Sequence, residues 1–162
     1  MAAVTLKSII DEFHLEEITN FGNTEDILIT VADVTRPGLQ LAGYYEHFGP
    51  DRIQLLGNME MAFLKHLTSE ERFHTLETIF SKGIPCMILS RHHEIFPEML
   101  EASKRYSVPL LRTDETTSTI MSSLIKHLNV ELAPQTTLHG VLVEIYGEGI
   151  LILGESGVGK SE

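Results

Sequence analysis

Along the chain, short apolar runs of strand type alternate with segments whose apolar residues recur every three or four positions. Val4, Leu6, Ile9, Ile10 and Phe13 share one face of a helix expected over 4–13. Residues 26–31 are β-branched and apolar and predict a strand. Arg36-Pro37-Gly38 is a turn signal, leading into an apolar and aromatic stretch over 39–48. Residues 53–56 predict a second strand, closed by Gly57. Asn58 is placed to cap a helix through Leu67. Ser69 is expected to cap the next helix, where Glu70 and Glu71 suit the positive end of the dipole. That helix should run to about Lys82 and stop at Gly83.

The pattern is most regular from residue 85 onward. A strand over 85–89 precedes a helix over 96–106, with Pro97 in the first turn, where a missing N–H costs nothing. A strand over 108–111 precedes a helix over 116–128, with Ile120, Leu124 and Leu128 spaced by four. Strand, helix, strand, helix predicts an α/β domain with a parallel sheet and flanking helices over 1–132. The polar stretch Ala133-Pro134-Gln135-Thr136-Thr137 breaks this rhythm and marks the expected boundary. Beyond it lie a β-rich run over 138–146 and a hairpin signal at Gly147-Glu148-Gly149. Ile150-Leu151-Ile152-Leu153 follows as a strand of the buried kind. Residues 133–162 therefore read as the start of a second domain.

Composition narrows the function classes. A chain of 162 residues with 43% hydrophobic and 22% charged residues is globular in character, not disordered. Its formal net charge of -11, with no Lys/Arg-rich run, argues against nucleic acid or an anionic membrane as partner. No apolar run approaches the roughly 20 residues needed to span a bilayer. Met1 to Lys7 lack the basic and apolar regions of a signal peptide, so a cytoplasmic location is expected. The single cysteine, Cys86, cannot form an intrachain disulfide, and its apolar neighbours predict a small buried hydrophobe.

The chemistry is concentrated at 154–161. Gly154-Glu155-Ser156-Gly157-Val158-Gly159-Lys160-Ser161 matches G-x-x-x-x-G-K-[ST] at every fixed position and follows an apolar strand directly. Small residues let the backbone curl so that several N–H groups face phosphate oxygens. Lys160 would bring positive charge to the outer phosphates, and the Ser161 hydroxyl would reach a magnesium ion bridging them. A helix expected to begin here adds about half a unit of positive charge from its dipole. ATP with Mg2+ is thus the expected cofactor pair.

His139 is the second candidate. With Gly147-Glu148 as the turn it falls opposite Ser156; with Glu148-Gly149 it falls opposite Val158. Either register sets it beside the phosphate loop, where an imidazole contacts the γ-phosphate or influences proton transfer. The alternative is a strand-initiating histidine bonded to backbone. His92-His93-Glu94 suggests a solvated loop more than a metal site, since adjacent residues of an extended chain face opposite sides. Arg36-Pro37-Gly38 with Tyr44, Tyr45 and Phe48 reads as a turn leading into core aromatics, and Met59, Met61 and Met87 as core residues.

Four stretches together resemble one family. They are Arg36-Pro37-Gly38-Leu39-Gln40-Leu41-Ala42-Gly43, Arg52-Ile53-Gln54-Leu55-Leu56-Gly57, residues 132–143 around His139-Gly140-Val141, and residues 149–162. In that order they resemble the HPr kinase/phosphorylase family over essentially the whole chain. The resemblance implies a bifunctional enzyme. It phosphorylates a serine of the phosphocarrier protein HPr with ATP or pyrophosphate and removes that phosphate by phosphorolysis, in carbon catabolite regulation. It implies a homo-hexamer with an α/β N-terminal domain and a P-loop kinase domain. It also implies active-site roles for His139 and Lys160, nucleotide binding by Gly154 to Ser161, and a magnesium contact from Ser161. The family's acidic pair after the P-loop and its later catalytic arginine have no counterpart in these 162 residues. The chain is therefore expected to be an inactive N-terminal piece that binds nucleotide weakly or not at all. A reading from another class is a non-catalytic regulatory or assembly domain with a vestigial P-loop.

Overall fold

The structure, a computed structural model, describes residues 2–134. In chain order its elements are β1 (Val4–Thr5), α1 (Leu6–Phe13), β2 (Glu16–Glu17), β3 (Leu28–Ile29), β4 (Val34–Thr35), α2 (Gly38–Leu41), β5 (Ile53–Leu56), α3 (Asn58–His66), α4 (Ser69–Phe80), β6 (Met87–Leu89), α5 (Pro97–Tyr106), β7 (Leu110–Arg112) and α6 (Thr117–Glu131). The expected α/β fold is present. Strands β4, β5, β6 and β7 are parallel neighbours, and β2 adds to β7 in antiparallel sense.

The sheet's register sorts its side chains into two cores. Leu55, Ile88 and Leu111 align across β5, β6 and β7 and face α1 and α6. There they meet Leu6, Ile9 and Ile10 of α1 and Ile120, Leu124 and Leu128 of α6. Leu56, Met87, Leu89 and Leu110 face the other way, against Met61 and Leu64 of α3, Leu76, Ile79 and Phe80 of α4, and Met99 and Ala102 of α5. Strands buried on both faces read as continuous apolar runs, which is why 53–56 and 85–89 showed no alternation. The polar exception is Gln54. It is fully buried beside Thr35 in register, with its Nε2 donating to the Arg52 carbonyl at 2.8 Å.

The helix ends differ from sequence expectation for local reasons. Val4 and Thr5 pair with Ile29 and Leu28, so α1 begins only at Leu6, after the Thr5 hydroxyl accepts from the Ser8 N–H. The strand expected over 26–31 shrinks to Leu28–Ile29, because its partner is this two-residue β1 and not the main sheet. Thr68, not Ser69, caps α4: its hydroxyl accepts from the Glu71 N–H, and Glu71 accepts from the Thr68 N–H. Asn58 is the first residue of α3, not its cap. Helix α4 ends at Phe80, and the chain turns through Gly83 at φ +84, a conformation that favours glycine. Strand β7 lies over 110–112, displaced toward its antiparallel partner β2. Pro97 occupies the first turn of α5 as expected, and Thr116 caps α6.

Cys86 is fully buried, and burial pushes its thiol pKa up to about 12. It should stay inert to Ellman's reagent in the folded chain and react fully in denaturant; prompt labelling of the native chain would contradict this placement. Helices α4 and α5 are linked by Glu98, which accepts from the Ser69 hydroxyl and pairs with Arg72 at 3.2 Å. The Ser69 hydrogen bond, joined by Arg72, holds the Glu98 carboxyl below its ordinary range despite burial. With the folded pKa depressed, this stabilisation is complete above the unfolded value, about 4.3, and is lost as pH falls through the folded value. Urea midpoints measured from about pH 6 to about pH 3 should fall, and Glu98→Gln should make that fall shallower.

Candidate functional site

His139 and the loop residues Gly154, Glu155, Ser156, Gly157, Val158, Gly159, Lys160 and Ser161 lie outside the described residues. Within them, the best-organised polar cluster sits where the parallel strands end. Parallel strands deliver their carboxyl ends to one edge of the sheet, and the helices that follow begin there. Arg36 follows β4, Gly57 follows β5, Ser90 follows β6, and Thr117 opens α6 after β7.

These residues form a hydrogen-bonded knot. Glu60, nearly buried, accepts the Gly57 N–H at 2.7 Å and Arg36 Nη2 at 2.8 Å through one carboxylate oxygen. It therefore caps α3 from inside the helix and neutralises Arg36 at the same time. The Ser90 N–H and hydroxyl both reach the Leu56 carbonyl, at 3.1 and 3.2 Å, and the Ser90 and Thr117 hydroxyls lie 2.6 Å apart. A Cβ on Gly57 would fall 2.8 Å from Arg36 Nη2 and closer still to the Thr117 hydroxyl. Among the described residues Ser90 hydrogen-bonds no histidine or carboxylate. The knot fastens β4, β5, β6, α3 and α6 together.

Beside it runs a tight loop from Ser90 to Glu94. Arg91 and His92 are both left-handed, with φ of 54 and 53. The strain is held by Arg91 N–H to the Glu115 carbonyl and His92 N–H to the Thr113 carbonyl, each 2.8 Å. The two histidines part company, in a left-handed turn and not on the extended chain that the sequence suggested. His92 Nδ1 lies 2.9 Å from Asp114, and His93 Nε2 lies 2.8 Å from Asn58 Oδ1. Burial, and then the Arg91 charge, hold the His93 pKa below its ordinary value. Arg112 grips Glu16 with two hydrogen bonds, at 2.9 and 3.0 Å, and its hydrogen bond keeps the Glu16 carboxyl below the usual range.

Sequence reasoning took Arg36-Pro37-Gly38 as a turn and a family signature and did not connect Arg36 to Glu60. The available signal was a glutamate three residues after Gly57, the spacing at which a carboxylate reaches back to a helix's first N–H. Nothing in the sequence marked Ser90 and Thr117 as partners, since 27 residues separate them.

Past this parallel α/β domain the sequence carries the phosphate-loop pattern at 154–161, and comparison with known proteins identifies the family. The model of the HPr Serine kinase N terminus matches residues 4–128, and that of the HPr Serine kinase C-terminal domain matches residues 130–162. The chain belongs to the HPr serine kinase family. It is similar to the HPr kinase/phosphorylase of Caldicellulosiruptor bescii, 48% identical over 100% of this chain and 52% of that protein. That of Clostridium perfringens is 45% identical over 98% of this chain and 51% of that protein, and that of Bacillus cereus 41% over 100% and 52%. The chain thus spans about half the length of the relatives it matches. Among solved structures, the CBS and DRTGG domains of the regulatory region of a Clostridium perfringens pyrophosphatase match with a TM-score of 0.53 and 17% identity. This match covers 80% of this chain and 47% of that one, and it is a likeness of fold alone.

The knot yields a test. Gly57→Ala should cost about 1–3 kcal/mol of stability, read as a lower urea midpoint at unchanged m value. A variant as stable as the parent would show that Arg36 and Thr117 do not confine this position.

Proposed function

We propose that the protein containing this chain is a bifunctional kinase/phosphorylase. It transfers phosphate from ATP, or pyrophosphate, to a serine of the phosphocarrier HPr and returns it to inorganic phosphate by phosphorolysis. The observation that carries this reading is the complete phosphate-loop pattern at 154–161, set directly behind the apolar run over 150–153 within the segment matched by the HPr Serine kinase C-terminal family model. The names of the relatives support the same reading and disfavour a non-catalytic module with a vestigial loop.

Residues 1–132 form the N-terminal domain in this proposal, and 133–162 open the kinase domain; the two family matches meet between 128 and 130. Backbone N–H groups from Gly154 to Ser161 hold the phosphates. Lys160 draws the outer phosphate's charge, and His139, opposite the loop in either hairpin register, lies within reach of the transferred group. The Ser161 hydroxyl is a hard oxygen donor suited to Mg2+, which when bound neutralises charge building on the phosphates. The enzyme works as a homo-hexamer in the cytoplasm, controlling carbohydrate use. No helix among the described residues is long and apolar enough to cross a membrane.

In the protein that carries this chain together with the rest of the kinase domain, Lys160→Ala should lower HPr phosphorylation at least roughly a hundredfold. His139→Ala should lower it by roughly 10²–10⁴. Unchanged rates in both variants, with circular dichroism intact, would remove the loop from the active site. The 162-residue chain alone, titrated with a fluorescent ATP analogue and magnesium, should bind more weakly than micromolar.

A further inference from the structure

A cavity of about 600 Å³ opens between α3 and the loop that follows β6, at the carboxyl edge of the sheet. Open parallel sheets place their ligands at this edge. Ala62 and Lys65 of α3 form one wall over the buried Met61, and His93, Ile95 and Phe96 form the other. Its surface is mostly apolar, as small-molecule sites are.

The walls are held in place by their surroundings. His93 is fixed by Asn58, and its loop by the Arg91 and His92 backbone hydrogen bonds to the β7–α6 connection. The Arg72 guanidinium lies 4.6 Å from the centre of the Phe96 ring. Arg72 is itself anchored by Glu98 and by the carbonyls of Leu64 and Leu67. A site built this rigidly loses little conformational freedom when it binds.

Charge decides the ligand. Lys65 is in no ion pair among the described residues and is an exposed lining residue of the cavity. Helices α3 and α5, of 9 and 10 residues, begin at the lining residues Asn58 and Pro97. Their first turns already hold carboxylates, Glu60 accepting the Gly57 N–H in α3 and Glu98 paired with Ser69 and Arg72 in α5, so Lys65 is the unpaired cation that the cavity offers a ligand. His93, with its pKa lowered, adds a neutral imidazole near pH 7. Glu94, exposed at the rim, is the opposing acidic group.

We propose that this cavity binds a small amphipathic anion. Its aromatic or branched apolar part lies against Met61, Ile95 and Phe96, and its carboxylate or phosphate pairs with Lys65. The site is independent of the kinase reading, because its lining lies within residues 58–97.

The test is an amide-shift titration of the ¹⁵N-labelled 162-residue chain with phenyl phosphate, phenylacetate and, as cationic control, benzylamine. Saturable shifts at Ala62, Lys65, His93 and Phe96 are expected with at least one anion, and the tighter of the two names the head group. Lys65→Gln should weaken binding roughly fivefold, the scale of one exposed charge pair. Ala62 is exposed, so Ala62→Trp should keep the fold and abolish binding by filling the cavity. Non-saturating shifts with both anions would overturn the proposal. So would benzylamine binding as tightly as the anions, or affinity unchanged in both variants.

Discussion

The carboxylate of Glu60 is the group on which the carboxyl edge of this fold depends. It is nearly buried, yet one of its oxygens accepts from both Arg36 and the Gly57 backbone. A buried carboxylate without partners would be strongly unfavourable, so its position dictates theirs. Arg36 must leave β4 toward α3, and Gly57 must present its N–H where a side chain would collide with Thr117 and Arg36. The close approach of α6 to β5 and the Ser90–Thr117 hydrogen bond become possible once Gly57 contributes no side chain.

This constraint ties together two cores that otherwise share only the sheet. One lies under α1 and α6, the other under α3, α4 and α5. Because β5, β6 and β7 run in register, Leu55, Ile88 and Leu111 address the first core, and Leu56 and Leu89 the second. Helix α6 therefore begins at the knot and then crosses to the face opposite α3. The strained Arg91-His92 loop sits at this crossing, held by backbone hydrogen bonds from the β7–α6 connection. Strain of this kind persists only where neighbouring structure over-determines it.

How far the sequence could be read depended on the range of the interactions involved. Ile120, Leu124 and Leu128, spaced by four, foretold the buried face of α6, and all three are fully buried. Pro97 foretold the first turn of α5. Both signals are carried within a few residues. The caps of α3 and α4 were misplaced by one residue because several adjacent polar residues can serve, and the choice rests on which carboxylate reaches back. Val4 and Thr5 were read as helix, and the extent of β3 was misjudged, because both depend on a two-residue pairing between segments distant in sequence.

By itself the sequence determined the α/β class, the phosphate-loop pattern at 154–161 and the family, because each is written in local spacing or in an ordered set of short motifs. Only the tertiary structure decided that Arg36 serves Glu60, that Ser90 meets Thr117, and that Lys65 and Phe96 face one cavity. Such pairings join residues 24 to 31 positions apart, and no local periodicity encodes them. They follow from the sheet's register, which brings the ends of separate strands to a single edge.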